Sequence, residues 1–471
     1  MRIYLDSNIF RFLKKKETDF YKKLEIVLNE RKSNFLFCYS YAHLADLKRD
    51  KSQKKYDDLK YMEGFVDNNY LCHYWGNKTT SCYLVKPLEA FESLDDDSID
   101  DLFDFESIFT GDLEPLGKAF TDLLKSQKLD FSMMQTENQP DNLKQALSTL
   151  FPSDKKEFSL LDWMKNFGEF YKKLDNDKKA FKQLREAITN NLTKLNLFDI
   201  DITKVNFNDD FKLTPLKKSF KQFVTDNLNP NGDKEISNYD FFTNAYSTLN
   251  ILGLDKERNK KAAFANTIND SLHSYYAAHC DILVSDDEGL LVKSKALYKL
   301  LDIDTQIFHI DDFNNNIRFL GEKESSTNSF IDLLLRDLEK GIVVSSYPSM
   351  LNKRYNTIIK PIHIYLGYFN RIKQIKDFDS SNYIVLYNYH NNFSDFVFYK
   401  EYEMVTNTTI EVFGTDIDYK GKYSEKDTAE IKKGDWSGRF WNFGKYNLSL
   451  EINQETKVFN LVLGPIKINS K

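Results

Sequence analysis

Two short apolar runs, each closing on carboxylates and separated by more than half the chain, constrain this sequence most. Met1 to Phe10 reads MRIYLDSNIF: Ile3, Tyr4 and Leu5 stop at Asp6, and helical spacing begins at Ile9. Asp281-Ile-Leu-Val-Ser-Asp-Asp287 has the same form, a strand ending in acid. A strand that ends in a carboxylate before a helix places it at the carboxyl edge of a sheet, where open α/β sheets bind ligands.

Between and beside these runs the pattern is α/β. Apolar Phe12, Leu13, Phe20, Leu24, Val27 and Leu28 recur at helical spacing after Asp6. Asn34-Phe-Leu-Phe-Cys-Tyr39 suits a strand buried on both faces, and Ser40 is a good N-cap for a helix through Tyr41-Ala-His-Leu-Ala-Asp46. A helix over Lys261–Ala278 leads into the strand at Asp281. A short helix at Lys295–Leu301 and a strand at Thr305–Ile310 follow.

Four acids share one logic: Asp6 ends a strand, Asp46 lies on the helix after the second strand, Asp270 precedes the third, and Asp287 follows it. If the strands are parallel neighbours, the four meet at one edge. Like charges raise one another's pKa, so such a cluster calls for hard divalent cations with oxygen ligands. Such ions activate water and stabilise the leaving oxygen of a phosphodiester. Asp286 is an alternative to Asp287, and spacing only favours the latter.

These residues resemble the PIN domain nucleases. The resemblance lies in Asp6-Ser7-Asn8, Ser40-x-x-His43-x-x-Asp46, Asp270-x-x-His273 and Ser285-Asp286-Asp287, over about residues 1–90 and 258–320. It implies a PIN-like α/β core, a parallel sheet flanked by helices. It implies catalytic, metal-holding roles for Asp6, Asp46, Asp270 and Asp287, with one or two Mg²⁺ or Mn²⁺ ions as cofactor. Asn8 and Ser285 would be polar supports of the ligands, and the substrate would be nucleic acid, RNA favoured and DNA the alternative. The implied enzyme is an endoribonuclease of a bacterial stress-response, toxin–antitoxin or phage-defence setting, with a regulatory protein partner. The sequence departs from the family in having Asp46 where Glu is more usual, and in the long gap before Asp270.

Taken singly, each signal has a plainer explanation. Asp-Ser-Asn and Ser-Asp-Asp also cap helices and make turns. His43 and His273 sit three residues from Asp46 and Asp270, on shared helix faces. They either contact substrate phosphate and tune the acids, or are core histidines satisfied by neighbours, and the second reading is preferred. Lysines at 14–16, 22–23 and 48–60 could track a phosphate backbone or simply solvate helix faces. Trp75, Trp436, Phe440 and Trp441 could stack bases, though core packing is the commoner use. The sequence contains no GxxxxGK[ST], GxGxxG after a strand, HExxH or GxSxG.

The expected division is a PIN-like core in two parts, 1–90 and 258–322, split by a mainly helical insertion at 91–257. The insertion begins with an acidic stretch and breaks at Asn229-Pro-Asn-Gly232. A C-terminal antiparallel β-rich domain over 325–471, a sandwich or barrel, follows from strand-like runs including Ile358–Leu366, Tyr383–Tyr389, Phe396–Tyr399, Thr409–Phe413, Tyr446–Ile452 and Val458–Leu463. That domain could instead be a recognition module served by the core, and the core could be a silent or partner-gated nucleic-acid binder. A chain of 471 residues, 41% hydrophobic, has enough apolar content for such cores. Its net charge of −6 gives no global polyanion signature. Four scattered cysteines without zinc spacing, no secretory signal and no apolar run near membrane length point to reduced thiols in cytoplasm, with no membrane partner.

Overall fold

In the computed structural model, the described residues are 1–94, 194–227, 236–254, 264–320, 324–349, 354–377, 382–394 and 399–465, except 75–77, 199, 205, 445 and 454, together with 128–129, 158–159, 182, 185, 186 and 189. Most of the 91–257 block, its acidic start from Asp95 and Trp75 lie outside them.

The first four strands are β1 (Arg2–Leu5), β2 (Leu36–Ser40), β3 (Asn69–Tyr74) and β4 (Thr79–Leu84). A two-residue ladder joins β5 (Lys128–Leu129) to β6 (Phe158–Ser159), and β7 (Ile282–Ser285) and β8 (Gln306–His309) follow. The main sheet has the order β4-β3-β2-β1-β7-β8. All neighbours are parallel except the β3–β4 pair. The chain builds outward from β1 through β2 and β3, then returns to the other side of β1 for β7 and β8. The direction of winding therefore reverses between β1 and β7, where a crevice opens beyond the carboxyl ends of the strands.

Alternation along the strands divides the core into two layers. Ile3 and Leu5 of β1 join Phe37, Tyr39, Ile282 and Val284 on one face. Covering that face are α1 (Ser7–Lys15), α2 (Asp19–Arg31), α4 (Lys54–Val66) and, further on, α10 (Ile310–Leu320), with α3 (Tyr41–Lys48) between β2 and α4 and α5 (Pro87–Glu92) after β4. Tyr4, Cys38, Leu71 and Leu283 face the other way. They pack with α6 (Phe220–Asn227), α7 (Asn238–Ile251), α8 (Phe264–Ala277) and α9 (Glu288–Leu300). The described residues between Leu195 and Leu254 thus share one apolar core with the sheet: Phe242, Tyr246 and Leu249 are fully buried beside Leu283 and Leu297.

Beyond α10, α11 (Thr327–Lys340) leads into a second sheet. Its strands are β9 (Ile342–Ser349), β10 (Arg354–Lys360), β11 (Arg371–Asp377), β12 (Asn382–Tyr387), β13 (Arg439–Phe443), β14 (Tyr446–Ile452) and β15 (Phe459–Pro465). All pairs are antiparallel, in the order β13-β14-β15-β12-β11-β10-β9. The mixed α/β class and an antiparallel C-terminal half are as expected. The expected sandwich or barrel is replaced by one open sheet with helices α11, α12 (Tyr399–Phe413) and α13 (Glu425–Lys433).

Thr409–Phe413, expected as a strand, belongs to α12, and Phe396–Phe398 lie outside the described residues. The reason is periodicity: Tyr402, Val405, Thr406, Thr409, Val412 and Phe413 are buried at spacings of three and four, so a helix buries them all on one side. The helix expected at Lys295–Leu301 begins earlier, at the Asp287 cap. Trp436 and Trp441 are core residues whose indoles donate to Asp427 Oδ1 (2.8 Å) and Gly414 O (2.8 Å), while Phe440 is 37% exposed.

The second sheet's domain meets the first at the amino end of β1. Arg2 donates to both carboxylate oxygens of Glu401 on α12 (2.8 and 2.7 Å), both residues being buried. Met1 N donates to Gly367 O (3.0 Å), and His390 pairs with Asp281 (2.9 Å). The C-terminal domain is therefore clamped to the edge opposite Asp6. Among the described residues no helix is long and apolar enough to cross a membrane.

Candidate metal centre at the carboxyl edge

Asp6 follows β1 at the winding reversal. It is only 4% exposed, its backbone N–H bonds Val284 O across the β1–β7 gap (3.0 Å), and its Oδ2 accepts from Ser285 Oγ (2.9 Å). Ser285 Oγ also accepts from Asp287 N (3.0 Å), and Asp287 Oδ1 caps α9 by accepting from Leu290 N (3.0 Å). One hydroxyl thus ties the first acid to the turn that carries the last.

Electrostatic coupling joins the four acids. Burial raises the Asp6 pKa, reinforced by Asp46 and Asp287 and opposed by His273 and Ser285. Asp270, partly exposed on α8, is pushed up to about 7 by burial, with Asp287 and Asp6 adding to the rise and Lys293 opposing it. Lys293 on α9 is 1% exposed, with its ammonium 5.1 Å from the Tyr246 ring centroid.

Asp46 differs. Its Oδ1 accepts from Asn269 Nδ2 (2.6 Å) and its Oδ2 lies 3.1 Å from His273 Nε2. Burial would raise its pKa, but the bond to His273 and that residue's charge more than offset this and lower it.

The two histidines divide their labour. His43 Nδ1 accepts from Ser40 N (3.1 Å), completing a capping box with Ser40 Oγ at the start of α3, so Nε2–H donates to Leu5 O (2.8 Å). Burial, with the charge of His273, pulls its pKa down to about 3. It is a neutral structural residue. His273 Nδ1 meets Tyr4 OH (2.8 Å), and Nε2 faces Asp46, Ser7 Oγ (3.2 Å) and Asp6 Oδ1 (3.8 Å). Burial lowers its pKa, but the Asp46 bond and the charges of Asp6, Asp46 and Asp270 outweigh it and raise the pKa.

Hydrogen bonds and ion pairs therefore join Asp6, Asp46, Asp287, Ser285 and His273 at the crevice, and Asp270 couples to them through its charge. Asp286 turns away, exposed, toward His309 (3.4 Å). Asn8 Oδ1 takes a long bond from Arg11 (3.4 Å) and touches none of the acids. Tyr4, Asn269 and Lys293 belong to the site but escape sequence reasoning, and Ser7 enters there only as part of the Asp6-Ser7-Asn8 motif, with no role of its own. Tyr4 reads as one more apolar strand residue, and Lys293 as one more helix-face lysine.

Among the described residues, no three histidine, cysteine or carboxylate side chains close around a common point as a finished metal cage. The chemistry of the donors nevertheless fits a hard divalent cation. Asp6 is buried with Ser285 as its close hydrogen-bond donor, and no hydrogen bond between described residues ends on the Asp270 carboxylate. Burial raises the pKa of both acids, and a bound cation would favour their charged forms. Asp6, Asp270 and Asp287 are the acids that could offer oxygens to such an ion. Asp46, with both oxygens engaged, could reach it only through water. No family model, curated protein or solved structure matches the chain.

Proposed function

We propose that this chain is a divalent-cation-dependent nuclease, cutting phosphodiester bonds of RNA in preference to DNA, in keeping with the PIN-like arrangement of its acids. The observation that carries the reading is that the Ser285 hydroxyl ties Asp6 to the Asp287 turn while His273 lies between Asp6 and Asp46, all at the crevice between β1 and β7. A Mg²⁺ or Mn²⁺ ion in such a setting supplies an activated water and charge stabilisation at the leaving oxygen. Asp6, Asp270 and Asp287 would hold it. Ser285 keeps Asp6 aimed, Ser40 and His43 anchor α3, and Asn269 keeps Asp46 beside the crevice. His273 holds a proton on Nε2 next to Ser7, where an incoming phosphate oxygen could take it.

One observation favours a second reading, a partner-gated core. Asp46 is occupied by Asn269 and His273, so a rearrangement of α8 against α3 would be needed before it served directly. A recognition role for the C-terminal sheet fits either case, with its domain docked at the opposite edge of the main sheet.

The test is cleavage of end-labelled single-stranded RNA and DNA by the full chain with Mn²⁺, Mg²⁺ or EDTA, beside an Asp6→Asn/Asp270→Asn double variant. Metal-dependent cutting that the variant lacks supports the reading. Equal cutting by both refutes it.

A further inference from the structure

Helix α1 leaves the site directly from Asp6, and one of its faces carries cations into a pocket. Ser7, Arg11 and Lys14, at i, i+4 and i+7, line one pocket together with Asp46. Ser7 touches His273 at the inner end, Arg11 is exposed, and Lys14 closes the outer end against Asp58 on α4. The helix has three cations (Arg11, Lys14, Lys15) and no carboxylate of its own, in a chain of net charge −6. Lysines in the last turn of a helix are expected from its dipole. That does not account for Arg11, mid-helix, facing the same pocket as Asp46.

We propose that this face of α1 is a phosphate track for a single-stranded RNA backbone, Ser7 lying beside the scissile phosphate while Arg11 and Lys14 bind the phosphates that follow along the strand. The proposal rests on the nuclease reading for the position of the scissile bond, but the track itself needs only the geometry of α1. Seven residues of helix rise about 10 Å, enough to meet more than one phosphate. Arg11 offers a planar fork for two phosphate oxygens and Lys14 a point charge. Asp58 then competes with RNA for Lys14, so its removal should strengthen binding.

The experiment measures binding of a fluorescent single-stranded oligouridylate in EDTA, over a range of salt concentrations, by the full chain carrying Asp6→Asn so that it cannot cut. For single strands each phosphate contact contributes about 0.7 to the slope of log K against log salt. Arg11→Ala and Lys14→Ala should each make that slope shallower by about that amount. Asp58→Asn should tighten binding, and Lys212→Ala, outside the pocket, should change nothing. Unchanged slopes for Arg11→Ala and Lys14→Ala, weaker binding by Asp58→Asn, or no binding at all by the parent protein would overturn the track. Metal-dependent cutting by the natural chain together with unchanged slopes rejects the track and leaves the nuclease reading standing. Shallower slopes with no cutting do the reverse.

Discussion

Asp270→Asn should stabilise the metal-free protein, although it removes a residue the proposed function needs. In the folded chain burial, Asp287 and Asp6, opposed by Lys293, lift this carboxyl from 3.8 to about 7. The folded state then binds more protons than the unfolded state between those values, so stability falls as pH rises through that window. The interval spans about 3 pH units at roughly 1.4 kcal/mol each, a ceiling of about 4 kcal/mol against the ionised wild type above pH 7. Water reaching the partly exposed carboxylate screens the charges, so about 2 kcal/mol is the working figure. Asn occupies the same space without the charge. Urea unfolding in EDTA at pH 8 should show the variant more stable by about 2–4 kcal/mol, with the gap shrinking as pH is lowered toward 5. Added Mn²⁺ should then stabilise the wild type and leave the variant unmoved. A variant no more stable than the wild type at pH 8 would refute the claim that burial and the neighbouring acids disfavour the charged form of Asp270.

Three further outcomes test the frame around the site. Glu401→Ala leaves Arg2 buried without its carboxylate and should destabilise the chain by about 3–5 kcal/mol in urea unfolding, whereas Arg2→Met combined with Glu401→Leu should come close to neutral. Ser40→Ala removes the α3 cap and a hydrogen bond to Tyr4 OH (2.7 Å), a loss of about 1–2 kcal/mol by the same assay. Asp281 is half-buried, which would raise its pKa, yet His390, the Met1 amino group and Arg2 hold it well below the usual carboxylate range. Its contribution is therefore present above about pH 4 and lost as pH falls below that. His390→Ala should move the acid-unfolding midpoint, followed by circular dichroism, to higher pH.

The parts of the fold legible in the sequence are those whose signal is local. Ile3-Tyr-Leu-Asp6 and Ile282-Leu-Val-Ser285 read as strands because buried parallel strands are short continuous apolar runs, and each brought its acid to the expected edge. Ser40 announced its helix by cap chemistry that the structure repeats bond for bond. The β3–β4 hairpin gave no such signal. Its strands carry Asn69, His73, Thr79 and Ser81, and their burial depends on tertiary neighbours such as Tyr275, whose hydroxyl meets Thr80 Oγ1 (2.7 Å). Thr409-Ile-Glu-Val-Phe413 misled because three of its five residues are β-branched and a fourth is aromatic, a strand-like composition, while the deciding period of 3.6 appears only over the fifteen residues of α12. Within the site, spacing could not say that Asp287 faces Asp6 while Asp286 faces His309. Nor could it say that His273, and not His43, lies between Asp6 and Asp46. Those facts depend on how α8 and the β7 turn pack, which no local pattern encodes.

The central claim, that carboxylates from distant segments form one divalent-cation site at the reversal between β1 and β7, is tested most directly by titrating the full chain with Mn²⁺ and following the free ion by electron paramagnetic resonance. The account predicts saturable binding of one or two ions, abolished in the Asp6→Asn/Asp270→Asn variant and retained in Asp286→Asn, whose side chain faces His309. No saturable binding by the natural chain, or equal binding by the double variant, would contradict it.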